Sequence, residues 1–454
     1  MTKLNKIIHP DLLHDNIAKS LLCFALPVLV SYIFQQLYNA VDTIIVGHYL
    51  NENSLAAMGA CSSIYDLIIG FGTGFGSGMG LVAARAFGAA NEDRLKKSVA
   101  ASIVITIAVT LILIALSLLC VKPLLILLKT PSEILEESLS YIIVICIWCG
   151  VMFAYNLASG MLRAIGNSFM PLVFLIISAI LNIFLDILFI TKFNLGIKGA
   201  AIATVISQLI SALLCLIYIF IKAKILIPSF KKRHFKFEKS IYKELLGQGL
   251  SMAFMSSLVS SGTVILQSAI NSFGTIIMAG HVSARKIFSI TNIPIITLGI
   301  SSATFVSQNY GAGYIDRIKK GVKLGCTITT VWAILLVIVM PFAVRPLLSF
   351  ISGSQNAELL DYGQKYLLFA FPFYIVLGVL IVLRNSLQGL GAKILPLGSS
   401  LIELLGKIIF TALIIPHLGI WGVILCEPLI WCVMTLHLFY AFVKRMKKLT
   451  VKPE

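Results

Sequence analysis

Long apolar runs recur along the chain, separated by short polar connections rich in Gly, Pro, Asn and charge. A bilayer-spanning helix needs about 20 predominantly apolar residues, and reading the runs against the turn signals predicts twelve such helices. The first six fall near 17–48, 53–84, 95–122, 133–160, 166–192 and 198–222. The second six fall near 241–272, 275–308, 317–346, 358–387, 393–415 and 419–444. The predicted fold is therefore all-α and integral to the membrane, with an N-terminal lobe over 1–222, a basic linker over 223–240 and a C-terminal lobe over 241–454. The first nineteen residues are polar and mildly amphipathic. The apolar stretch that follows, 20–47, far outruns a signal h-region, so it reads as a true first span.

Composition narrows the class. Of 454 residues, 58% are apolar and 12% charged, about half the charged share of a soluble globular protein. That excludes a soluble fold. The net charge of +17 invites a nucleic-acid reading, but its distribution argues against one. Of 36 Lys and Arg, 27 fall at the N-terminus, the even-numbered connections and the C-terminus, and six (Lys122, Lys129, Lys192, Lys198, Arg345, Lys365) at the odd-numbered ones. Cytoplasmic loops are enriched in Lys and Arg. Both termini and the linker are thus expected in the cytoplasm, the chain is expected to be a multi-pass protein of the inner or plasma membrane, and anionic headgroups are its expected charged partner rather than nucleic acid.

The two halves resemble each other. Arg85-Ala-Phe-Gly88 parallels Gln308-Asn-Tyr-Gly311, and Val121-Lys-Pro123 parallels Val344-Arg-Pro346, both at an offset of 223. Gly166…Pro171 parallels Gly391…Pro396 at 225, and Gly196-Ile-Lys-Gly199 parallels Gly419-Ile-Trp-Gly422 at 223. Six spans per repeat is an even number, so both repeats enter the membrane in one direction and are expected to be pseudo-symmetric about its normal. Secondary transporters are built this way; an anchor or receptor needs no such duplication.

Ionisable groups inside spans cost about 2.5–3.5 kcal/mol on insertion scales and are functional candidates by default. In the first lobe, Asp42 lies late in the first helix and Asp186 late in the fifth, with Asn182 one turn earlier on the same face. Thr204 in the sixth helix and Tyr141 in the fourth fall at a similar depth. Carboxylates, an amide and a hydroxyl at one depth suit a hard cation such as sodium, or a proton shared by the carboxylates. A polar network that only joins helices is the alternative. In the second lobe Lys407 stands where Asn182 stands, Thr411 where Asp186 stands and Glu427 where Thr204 stands, with Glu403 one turn before Lys407. The Lys407 ammonium then either takes the place of a bound cation, held by Glu403 and Glu427, or forms a plain structural ion pair. Asp66, Arg285 and Lys286 are intramembrane charges without an assigned partner.

Pro27, inside the first helix, permits a kink and a hinge role. Gln35, Gln36, Tyr38 and Asn156 are uncharged polar residues in spans, candidates either for contact with substrate or for core hydrogen bonds. The run IGFGTGFGSGMG (69–80) has no preceding strand and no following Lys-Ser/Thr; Gly72, Gly76 and Gly80, four apart, read as helix-packing positions. Cys146 and Cys149 share only the spacing of a redox or metal pair and read as packing residues.

Pro27 and Asp42 in the first helix, Asn182-x-x-x-Asp186 in the fifth, Thr204 in the sixth and the segment YNAVDTIIVGHYLNENSLAAMG (38–59) resemble the MATE (multidrug and toxic compound extrusion) family, and the resemblance covers essentially the whole chain. It implies export of small organic, often cationic and amphiphilic compounds, driven by sodium or proton entry through alternating access. It also implies a cation site at Asp42, Asn182, Asp186 and Thr204 with Tyr141 beside it, no cofactor, no enzymatic activity and a monomer. The seventh helix lacks the acidic residue of the NorM-type branch, so the chain looks more like the MepA-like and DinF-like branches. A lipid-linked precursor flippase of the same superfamily is the runner-up. A membrane-embedded enzyme is the reading from another class, for which His281, in the eighth span, is the candidate histidine.

Overall fold

The computed structural model describes residues 10–128, 130–231 and 233–451, so Lys129 of the charge tally lies outside the described residues. Among the described residues eleven helices are long and apolar enough to cross a membrane, and twelve when one bent pair counts as a single span. They are α1 (Ile17–Tyr49), α2 (Glu52–Gly88), α3 (Glu92–Leu127), α4 (Ser132–Ile147 and Cys149–Ala164), α5 (Phe169–Lys192) and α6 (Gly196–Lys222). After the linker come α7 (Lys239–Asn271), α8 (Thr275–Gly311), α9 (Ile315–Ser352), α10 (Ala357–Gly389), α11 (Ile394–Leu418) and α12 (Ile420–Thr450).

Local chemistry sets the helix starts. Asn51, Asn91 and Asn356 cap α2, α3 and α10, each side chain accepting from a free amide of the first turn. Where the chain reverses, glycines at matching places in the two halves take positive φ: Gly166 (90°) with Gly391 (78°), and Gly196 (58°) with Gly419 (55°). L-residues with a side chain avoid this region, which explains why these glycines recur in the sequence repeat. The repeat extends to irregular backbone. Five-residue π-helical segments sit at Leu188–Lys192 in α5 and Phe410–Ile414 in α11. The fourth span of each half is interrupted, by a 45° bend at Trp148 in α4 and by a 3-10 turn at Phe371–Phe373 in α10.

Packing divides the chain into two compact units, one holding Leu26–Ser256 and the other Leu12–Ala25 together with Ser257 onward. The change of unit inside α1 falls beside Pro27, and a second change falls inside α7. In the first unit, the first half of α7 is held by Arg85 and Arg94, which donate to the two carboxylate oxygens of Glu244 at 2.9 and 2.8 Å. In the second unit, Arg317 donates to the carbonyls of Leu12 and Asp15 at 3.3 and 2.9 Å.

The glycine run in α2 presents two faces. A Cβ on Gly76 or Gly80 would come within 2.8 Å of the backbone of Asn156 or Gly160 in α4. One on Gly74 or Gly78 would come within 2.6 Å of the carbonyls of Met252 or Gln248 in α7. Only a missing side chain permits that approach, so the run is a packing device on both sides. Helices α3 and α9 carry exposed apolar surface: Leu119 and Leu127 on α3 are 74% and 76% exposed, and Phe342 and Phe350 on α9 84% and 86%. Such surface is stable against hydrocarbon and costly against water.

Candidate ion and substrate site

In the first unit, α1, α5 and α6 bring the candidate residues together. Asn182 is fully buried and Asp186 nearly so. With its amide oriented by its neighbours, Asn182 donates to Asp42 Oδ1 at 2.7 Å and to Asp186 Oδ2 at 3.1 Å. The second oxygen of Asp186 is buried and has no hydrogen-bond partner among the described residues. Buried polar atoms are normally satisfied, so this oxygen has capacity for a proton or a cation. Thr204 joins through Tyr38, whose hydroxyl donates to Thr204 Oγ1 at 3.2 Å. Tyr38 also lies one turn before Asp42 on α1. Tyr141 is buried in the apolar cluster of Cys61, Ile145 and Val205, within electrostatic reach of Tyr65 and Asp42.

Beside this cluster lies a cavity of about 100 Å³. Gln35, Tyr38 and Asn156 line it, joined by Tyr65, Tyr155, Ser178 and Gln208. Gln36 is exposed and does not line it; adjacent helical residues point about 100° apart, so one of the two glutamines must turn away. Drug-sized sites run to roughly 300–1,000 Å³. In this conformation the cavity therefore accommodates water or an ion, and a larger solute requires it to open.

The second unit holds a different cluster. Lys407 Nζ lies 3.1 Å from Glu403 Oε1 and 3.2 Å from Glu427 Oε1. Arg285 Nη1 donates to the other Glu427 oxygen at 2.7 Å, and the Tyr366 hydroxyl donates to that same oxygen at 3.1 Å. The sequence flagged Arg285 without finding its partner. Tyr366, at the position that matches Tyr141 at an offset of 225, went unremarked; that correspondence was the available signal. Lys286 and Asp66 are exposed on α8 and α2. No group of three or more His, Cys, Asp or Glu side chains is placed to hold a metal among the described residues.

The family model described as MatE matches residues 27–188 and again 251–413, which is more than half of the chain and repeats at nearly the internal offset. Over 442 residues, covering 95% of each chain, this protein is 27% identical to the "Probable multidrug resistance protein YoeA" of Bacillus subtilis (strain 168). It is 22% identical to the "Multidrug export protein MepA" of Staphylococcus saprophyticus, over 75% of this chain and 73% of that one. A solved structure described as "Crystal structure of MATE in the bent conformation" superposes with a TM-score of 0.88 at 22% identity over 99% of each chain, a likeness of fold. Its matches are transporters rather than enzymes, and they do not favour the flippase reading. The chain belongs to the MATE family of multidrug efflux transporters.

Proposed function

We propose that the chain is an antiporter that exports small organic, cationic amphiphilic compounds by alternating access, driven by sodium or proton entry through the cluster of Asp42, Asn182, Asp186 and Thr204. The observation that carries the reading is the convergence of two carboxyl groups on one buried amide, with one carboxyl oxygen left unsatisfied. Two carboxyls in one buried site cannot both remain charged and unpaired; they take up a proton or share a cation. Either event changes the charge of the site by one unit, which lets the electrochemical gradient act on it.

Tyr38 connects this cluster to the cavity, since it contacts Thr204 and lines the cavity wall. Solute contact falls to Gln35, Tyr38 and Asn156. Pro27 is the hinge, supported by the change of packing unit between Ala25 and Leu26. The lobes 1–222 and 241–454 are the mobile bodies and 223–240 their tether. The Lys and Arg bias supports cytoplasmic termini in the plasma membrane, and the transporter acts as a monomer.

The test is efflux from proteoliposomes under imposed sodium or proton gradients, comparing the wild type with Asp42→Asn. The expected result is gradient-driven efflux in the wild type and a loss of at least about 10-fold in the variant, the rate equivalent of roughly 1.4 kcal/mol. Undiminished gradient-driven efflux from Asp42→Asn removes the coupling site from this cluster.

A further inference from the structure

Away from either charged cluster, the second unit carries a groove of about 480 Å³ between α9, α10 and α12. Helix α10 packs against both α9 and α12, while those two do not pack closely on each other. The gap between them is floored by Val379 and Leu383 of α10. Its walls are Val322 and Cys326 on one side and Phe439 and Val443 on the other. At one end stand three lysines: Lys319 and Lys323, one turn apart on α9, and Lys447 on α12. Helix α9 begins at this end and α12 finishes at it. Phe439 precedes Lys447 by eight residues, or about 12 Å of helix. The groove is therefore basic at its mouth and apolar below.

The lysines are not there to satisfy protein carboxylates. Lys323 and Lys447 make no ion pair among the described residues, and Lys319 has only a 3.8 Å contact with exposed Asp316. The first unit differs. At an offset of 223, Lys319 and Lys320 correspond to Lys96 and Lys97, which are paired with Glu92 and Asp93 at 2.5 and 2.9 Å, and Lys323 corresponds to Ala100. At the same offset Lys447 corresponds to Lys224, so it is Lys323, with the weakly paired Lys319, that sets the rim of the second unit apart from the first.

We propose that this groove binds one anionic phospholipid, its phosphate held by Lys319, Lys323 and Lys447 and its acyl chains laid along Val379, Leu383, Phe439 and Val443. The charge complementarity and the depth order both match that occupant: cations at headgroup level and apolar walls at acyl level. A soluble anion has no use for the walls, and an apolar solute none for the lysines. The site is separate from the proposed coupling cluster, so its fate does not depend on that reading.

Native mass spectrometry of the full-length purified protein tests it, with phosphatidylglycerol, phosphatidylcholine and glycerol 3-phosphate as probes. One phosphatidylglycerol is expected to be retained in preference to phosphatidylcholine, and glycerol 3-phosphate is expected to leave no adduct. Each lysine near an anionic headgroup contributes about five-fold, so joint replacement of Lys319, Lys323 and Lys447 by Gln lowers retention on the order of 100-fold. Replacing Lys222, Lys224 and Lys236 by Gln, which removes the same charge from the first unit and the linker, leaves retention unchanged. Val379→Trp fills the floor without altering charge and also removes the lipid. The proposal is overturned by equal retention of phosphatidylcholine, by a loss as large in the control triple, by retention of glycerol 3-phosphate, or by lipid that persists in Val379→Trp.

Discussion

The two units place polar clusters at corresponding points of a repeated fold and fill them oppositely. In the first, Asp42 and Asp186 meet an uncharged amide, and one Asp186 oxygen is left without a partner. In the second, Lys407 replaces that amide and bridges Glu403 and Glu427, while Arg285 takes the remaining Glu427 oxygen. Two carboxylates facing two cations are neutral with nothing added. The first cluster has two carboxyl groups and no cation of its own, so it moves toward that balance only by taking up protons or cations from solution. A buried site can take part in exchange only if its counter-charge is able to leave, and a covalently attached ammonium cannot. In the proposed function, this difference leaves one lobe of the duplicated scaffold responsive and the other fixed.

Lys407→Ala challenges the comparison hardest. It strands two buried carboxylates with one cation, and breaking a buried pair this way costs about 3–5 kcal/mol. A drop in thermal unfolding temperature that sodium partly restores would mean the second lobe had been converted to a cation-accepting one. A variant that is fully stable without sodium would mean Lys407 carries no such load. The converse change, Asn182→Lys, places an ammonium between Asp42 and Asp186. Gradient-driven efflux is expected to fall on the order of 100-fold, equivalent to roughly 2.7 kcal/mol, without loss of thermal stability. Efflux that continues to follow the gradient would separate charge balance from coupling.

Much of the fold was legible because lipid leaves a chain few options: backbone groups must be satisfied within helices, so apolar runs bounded by Asn and Gly mark spans directly. The span expected over 275–308 is α8, Thr275–Gly311. The repeat was visible because positive-φ glycines such as Gly196 and Gly419 cannot drift. What stayed hidden depends on partners distant in sequence. Gly74 and Gly78 contact α7, some 170 positions away, and nothing in their spacing names that helix. The 45° bend at Trp148 has no proline inside the helix to announce it. Arg285 had several carboxylates to choose from, and Glu427 lies 142 positions away. In the first cluster, Asn182 and Asp186 share a turn and were readable as a pair, whereas the choice of Gln35 over Gln36 required the rotation of α1 about its own axis.

The smallest expected effect asks whether Tyr38 belongs with the ion or with the solute. Its hydroxyl donates to Thr204 at 3.2 Å and also lies within reach of the Asp42 carboxyl group; a hydrogen bond of the first, neutral kind contributes about 0.5–1.5 kcal/mol. Tyr38→Phe keeps the ring on the cavity wall and removes only the hydroxyl, so efflux is expected to fall about two- to ten-fold. If the hydroxyl serves the solute, the loss appears as a raised half-saturation for substrate, with the ion dependence unchanged. A shifted sodium or proton dependence would instead assign Tyr38 to the cluster of Asp42 and Thr204. The corresponding change in the second unit, Tyr366→Phe, also removes a hydroxyl from a buried carboxyl group, but Glu427 retains Arg285 and Lys407. Its efflux is therefore expected to stay within two-fold of wild type. A larger loss at Tyr366 than at Tyr38 would mean that the second cluster, and not the first, is the one that works.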